Sequence, residues 1–244
     1  MESLILLAIS ILPVIVLMIY IYRQDKYEKE PLGLLALTFF GGMIAIPMTL
    51  IMVGITNAVY YSDSVFHSAF IEAGFPEELS KFVILFLIIW WNKNFNEHMD
   101  GIVYATFVSL GFACVENILY VLGGGIGTGI MRAVISVPGH FLFGVLMGYF
   151  LSLAKFNENK KFLYILLAIL VPACVHGMFD WLLMAAEAWG NGIALLLIFF
   201  LSFSTFSCGL PVSSRSASIA RTHLLKTLLH LPPRTCTKTF FLWH

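Results

Sequence analysis

The sequence predicts an all-α, polytopic membrane helix bundle, and three observations carry that reading. Hydrophobic residues make up 59% of the 244-residue chain and charged residues 11%, with a mean hydropathy of +0.90. A soluble domain averages about 25% charged residues, so this chain could not cover a water-facing surface. Apolar stretches recur at the length of about 20 residues needed to cross roughly 30 Å of hydrocarbon. Lysines and arginines fall in alternate connections between those stretches, the signature of a chain threaded through a bilayer. The formal net charge is +0, and nothing in it points to a nucleic-acid partner.

About seven spans are expected, over residues 3–22, 32–57, 69–91, 99–121, 132–154, 162–186 and 190–207. The first has no basic leader, carries Glu2 and lacks a small-x-small cleavage site, so it reads as a retained span. The connection after it, Arg23 to Pro31, mixes charge signs and ends in a proline able to open the next helix, as a solvated turn would. Basic residues follow spans one (Arg23, Lys26, Lys29), three (Lys93) and five (Lys155, Lys160, Lys161), and five more lie in the tail. Residues 58–68, 122–131 and 187–189 contain none, with Arg132 at one boundary. The N-terminus is therefore expected outside and the C-terminus in the cytoplasm.

Gly123 to Gly129 is glycine-rich but follows a span and lacks a Lys-Ser/Thr end, so it reads as a flexible outer loop rather than a phosphate cradle. Cys114, Cys174, Cys208 and Cys236 have no CxxC or ligand spacing and read as packing residues. Beyond residue 206 the apolar period ends and the charges are all basic. The chain divides accordingly into a membrane domain, 1–206, and a basic tail without regular structure, 207–244.

The scaffold is organised around Glu72-Ala73-Gly74-Phe75-Pro76-Glu77-Glu78-Leu79-Ser80-Lys81, at the leading edge of an apolar run. A charged side chain at the bilayer centre costs about 2.5–3.5 kcal/mol on insertion scales, so this set marks a site. Pro76 followed by two acids has the chemistry of a helix start, and Gly74 just before it permits a break. Lys81 is four residues from Glu77 and three from Glu78, within reach of either. Other spans supply Glu116, His140, and the pair His176 and Asp180 on one helical face. At 1.5 Å rise per residue these groups all fall roughly 7–15 Å from the outer surface. His67, His98, Asp100 and the tail histidines read as solvated.

The set Glu77-Glu78-x-x-Lys81, Phe112-x-x-x-Glu116 and His176-x-x-x-Asp180, on successive helices, resembles the PrsW family of intramembrane proteases. Asn117 and Tyr120 after the second motif, and the His140 segment running into Gly148-Tyr149, add to the likeness, which covers roughly residues 15–186. The family is similar in motif layout to the CAAX prenyl-protease and bacteriocin-processing superfamily. The resemblance implies a bacterial cytoplasmic-membrane enzyme that cuts a membrane-tethered, single-span substrate, such as an anti-sigma factor, near its extracytoplasmic side.

Two mechanisms fit these residues. In one, no cofactor is needed: Glu77 or Glu78 is the general base, Lys81 holds the other acid, His140 or His176 serves the oxyanion or leaving amine, and Asp180 orients His176. In the other, Glu116, His140 and His176 hold a zinc-type divalent metal and leave one position for water. A proton or ion carrier and a silent scaffold for single-span partners are the competing functions. The carrier predicts ionisable groups spread across the membrane, whereas these share one level.

Overall fold

A computed structural model describes residues 2–26 and 28–189, and among them every regular element is helical. Helix α1 is Glu2–Gln24, α2 Leu32–Val59, α3 Phe75–Ile89, α4 His98–Met131, α5 Val137–Phe156 and α6 Lys161–Trp189. Two π-helical segments, His67–Gly74 and Arg132–Ser136, lead directly into α3 and α5. Four helical stretches are long and apolar enough to cross a membrane: Leu4–Gln24, Leu32–Val59, His98–Phe156 and Glu158–Ala185. The expected seventh span and the basic tail lie outside the described residues.

The stretch His98–Phe156 covers both the fourth and fifth expected spans. Its 59 residues are far longer than the roughly 20 that one crossing needs. The glycine-rich segment expected as a loop is instead helical, apart from Gly125 at φ 76° and ψ −165°. A left-handed φ there suits glycine alone, so a single residue does the work assigned to a whole loop.

Helix α4 is the axis of the bundle, with every residue from Asp100 to Cys114 buried. Helices α1, α2 and α5 pack around it, and glycines set how near they come. A Cβ on Gly42 of α2 would lie 1.9 Å from the carbonyl oxygen of Val108, and one on Gly111 of α4 would lie 1.9 Å from that of Phe39. On α5, a Cβ on Gly148 would lie 2.3 Å from the Gly101 oxygen. Without a hydrophobic force between helices in lipid, close backbone approach through small residues is what holds them.

Gly74 has the same role. Its sequence setting permits a break in the third span, but its backbone is right-handed helical and the chain runs on from π to α geometry. Its hydrogen faces α6, where a Cβ would lie 2.7 Å from the Gly177 nitrogen. The start of α3 thereby lies against the His176 segment.

The connection between α1 and α2 is not the solvated turn expected. Asp25 and Glu30 are buried, as is Asp100 at the start of α4. Asp100 Oδ2 accepts the backbone N–H groups of Asn96 and Glu97, closing a capping box on α4. The Tyr104 hydroxyl donates to Glu30. His67 is buried too, its Nε2 3.3 Å from Asn57 Oδ1 and its ring edge-on to Tyr60 and Tyr61.

Burial, then the hydrogen bond and charge of Asp100, push the Glu30 carboxyl up to about 9 from its ordinary 4.5. Between those two values the folded protein holds a proton on Glu30 that the unfolded chain has lost. Stability therefore falls as pH rises through that window, by at most about 1.4 kcal/mol per pH unit from this group. A glutamine can keep both contacts without a titrating proton. Thermal unfolding in detergent at pH 6 and pH 9 is expected to give a smaller loss of midpoint for Glu30→Gln than for the parent. An equal loss in both would remove Glu30 as its source.

Candidate active site

Four helices bring the sequence-predicted residues together. Pro76, Glu77 and Glu78 fall where the π segment passes into α3, inside one unbroken helical run, so the acids stand within a helix and not at the free helix start that the sequence predicts. Although adjacent residues leave a helix about 100° apart, both carboxylates bend toward Lys81 and His176. Glu78 is 0% exposed, with Oε1 2.8 Å from Lys81 Nζ and 3.0 Å from His176 Nδ1. Glu77 is 12% exposed, 3.3 Å from Lys81 and 3.9 Å from His176 Nδ1.

Lys81 is itself fully buried. Its ammonium also lies 3.2 Å from His140 Nδ1 and 4.0 Å from the centre of the Phe112 ring. An ammonium only donates, so His140 Nδ1 accepts and its Nε2 carries the hydrogen, pointing at Glu116 Oε2 2.7 Å away. The Ser109 hydroxyl donates to the His140 carbonyl at 2.6 Å and ties α4 to α5 at this level. His176 stacks on Phe143 at 4.5 Å between ring centres, and its Nε2 lies 3.3 Å from Asp180 Oδ2, one turn along α6. The His140 and His176 rings meet edge to face at 5.2 Å.

Glu77, Glu116, His140, His176 and Asp180 line one cavity of about 250 Å³, while Glu78 and Lys81 lie behind them. Its other walls include Tyr120, Met131, Arg132, Ile135, Ser136, Phe179, Leu183 and Met184, so apolar side chains share the cavity with the charged cluster. All seven sequence-predicted residues belong to one connected constellation.

The donor set suits a metal ion. One ligand atom from each of Glu77, Glu78, His140 and His176 lies within 4.8 Å of the others, and Glu78 Oε2 is buried with no hydrogen-bond partner. Behind the histidines stand Glu116 and Asp180, the outer carboxylates that commonly orient ligating imidazoles. The ligand set expected from sequence, Glu116 with His140 and His176, is arranged differently: Glu116 faces the His140 nitrogen opposite the one in the cluster. Sequence spacing carries no information about which ring nitrogen faces which partner.

Arg132 is the site residue that sequence reading passed over. Its guanidinium lies 3.1 Å from Glu116 Oε2, donates from Nε to Asn117 Oδ1 at 3.0 Å and covers the Tyr120 ring at 4.2 Å. The signal was present: a lone arginine bordering a connection otherwise empty of basic residues.

Comparison with known proteins identifies the family. Residues 30–206 match the PrsW family of intramembrane metalloproteases. Protease PrsW of Geobacillus kaustophilus is 38% identical over 195 residues, 79% of this chain and 86% of that protein. Protease PrsW of Oceanobacillus iheyensis is 39% identical over 179 residues, 73% and 82% of the respective chains. Protease PrsW of Clostridioides difficile is 36% identical over 207 residues, 80% of this chain and 84% of that one. No solved structure matches the chain.

Proposed function

Because the chain belongs to the PrsW family of intramembrane metalloproteases, we propose that it cuts a single-span membrane protein at the Glu77–His176 cavity, with Glu77 as general base. It is a multi-pass membrane protease by family, and its substrate lies in the same bilayer. The substrate class implied by the resemblance is an anti-sigma-factor-like protein of a bacterial cytoplasmic membrane. Seven spans, with the N-terminus outside and the basic tail 207–244 in the cytoplasm, put the cut near the extracytoplasmic surface, a reading supported by the alternation of basic connections.

The observation that carries the proposal is the convergence of Glu77, His140, His176 and Asp180 on one small cavity that apolar side chains also line. A peptide bond is cut by water, which needs a base, and the oxyanion and leaving amine need donors. Glu77 faces the cavity and takes the proton from water. Glu78 is locked between Lys81 and His176, and holds both in place rather than meeting substrate. Glu78 and Asp180 occupy the two ring nitrogens of His176 and fix it at the cavity wall, and Glu77 passes the proton it took from water on to the leaving nitrogen. Glu78, His140 and His176 would hold a zinc-type ion, which supplies a Lewis acid and an acidified water. The apolar side chains among the cavity walls suit an unwound stretch of substrate helix.

The test uses the purified full chain in nanodiscs with a panel of tagged single-span proteins bearing short outer domains. A defined fragment is expected from one or more of them. A zinc chelator is expected to lower its yield at least about tenfold, and added zinc to restore it. Cleavage untouched by the chelator would overturn the metal and leave the carboxylate–histidine chemistry standing alone.

A further inference from the structure

We infer that Arg132 is a positioning residue for the proteolytic step, holding Glu116 so that Glu116 in turn fixes the His140 ring. This rests on the reading above, in which His140 belongs to the working cluster at the cavity. The Arg132–Glu116 contact is an ion pair, since Arg132 Nη2 is buried without an aligned hydrogen bond. Arg132 and His140 approach the same oxygen, Glu116 Oε2, at 3.1 and 2.7 Å. Glu116 therefore has a permanent cation beside the oxygen that accepts the His140 hydrogen.

The arginine is anchored from behind. Asn117, fully buried, accepts the Arg132 Nε–H and donates its own amide N–H to the Ser10 carbonyl of α1 at 2.8 Å. Tyr120 supplies a ring face for the planar guanidinium, the kind of stacking that lysine performs less well. A line of contacts thus runs from α1 through Asn117, Arg132 and Glu116 to His140 and Lys81.

Backbone placement agrees. Arg132 is the first residue of the π-helical segment that ends at Ser136, just before Val137-Pro138-Gly139-His140. Such π turns recur at functional sites. Arg132 and His140 are eight residues apart along this stretch, yet both close on one carboxylate of α4. An arginine only 15% exposed at membrane level is expensive, and packing alone would not call for it.

Steady-state cleavage kinetics for Arg132→Met, Arg132→Lys and Arg132→Ala in nanodiscs test the inference, the Ala variant with and without added guanidinium ion. Removing an outer partner of a working histidine lowers activity by about 10- to 100-fold. That loss is expected in kcat for the Met variant, with KM within about twofold. Lysine is expected to recover part of it, and free guanidinium to restore the Ala variant several-fold. Thermal unfolding monitors folding of each variant. A Met variant with parental kcat overturns the inference. A loss that tracks unfolding and resists guanidinium does so as well, because it assigns Arg132 a structural role. If the parent cuts none of the panel, the underlying reading fails instead, and the two failures are distinct.

Discussion

Glu77→Gln is expected to abolish fragment production while leaving the bundle folded. The glutamine keeps the size of the side chain and a hydrogen-bonding oxygen, and loses only the basicity that general-base catalysis uses. Losses of this kind run to about 10²–10⁴-fold. Folding is expected to survive because Glu77 is the partly exposed member of the pair, and Lys81 keeps Glu78 at 2.8 Å as its buried counter-ion. Cleavage rate against a responsive single-span substrate, with thermal unfolding alongside, checks both halves. A Glu77→Gln protein within tenfold of the parental rate removes Glu77 as base. If Glu78→Gln alone abolished cleavage, the roles would be exchanged. A scaffold that merely binds single-span partners would tolerate both changes.

The helices and the site were legible in the sequence for one physical reason. Ionisable groups are expensive in lipid, so Glu77, Glu78, Lys81, Glu116, His140, His176 and Asp180 stood out against apolar surroundings, and helical rise placed them at one level. What stayed hidden was geometry that residue type does not encode. Nothing in His67–Gly74 signals π rather than α geometry, and Gly74 looks the same whether it breaks a helix or lets Gly177 approach. The glycines near 125 read as a loop because helix propensity disfavours them, yet the helix persists on both sides of Gly125.

Burial misled in the other direction. Asp25, Glu30, His67 and Asp100 lie near span ends, where solvation is the ordinary expectation, but the connections fold back over them. Arg132 was passed over because the orientation rule counts basic residues by connection and ignores what each one touches. The family match ends at residue 206, where the apolar period of the sequence also stops.

Replacing Lys81 separates stability from chemistry. Lys81→Met leaves Glu78 fully buried without its nearest cation, and breaking a buried pair from one side costs about 3–5 kcal/mol. A marked drop in unfolding midpoint is expected, together with loss of cleavage. Lys81→Met combined with Glu78→Gln removes both charges at once, and neutral replacements of buried pairs are often tolerated. The double variant is therefore expected to recover much of the lost stability, a coupling that a double-mutant cycle reads directly. It is not expected to recover activity, because His176 Nδ1 would face an amide in place of the carboxylate 3.0 Å away. A Lys81→Met protein as stable as the parent would mean that Glu78 does not depend on the ammonium. A double variant that cleaves normally would mean that the ion pair serves the fold alone. Because the two readouts move independently in this cycle, it can tell a buried pair kept for packing from one kept to hold a histidine at its work.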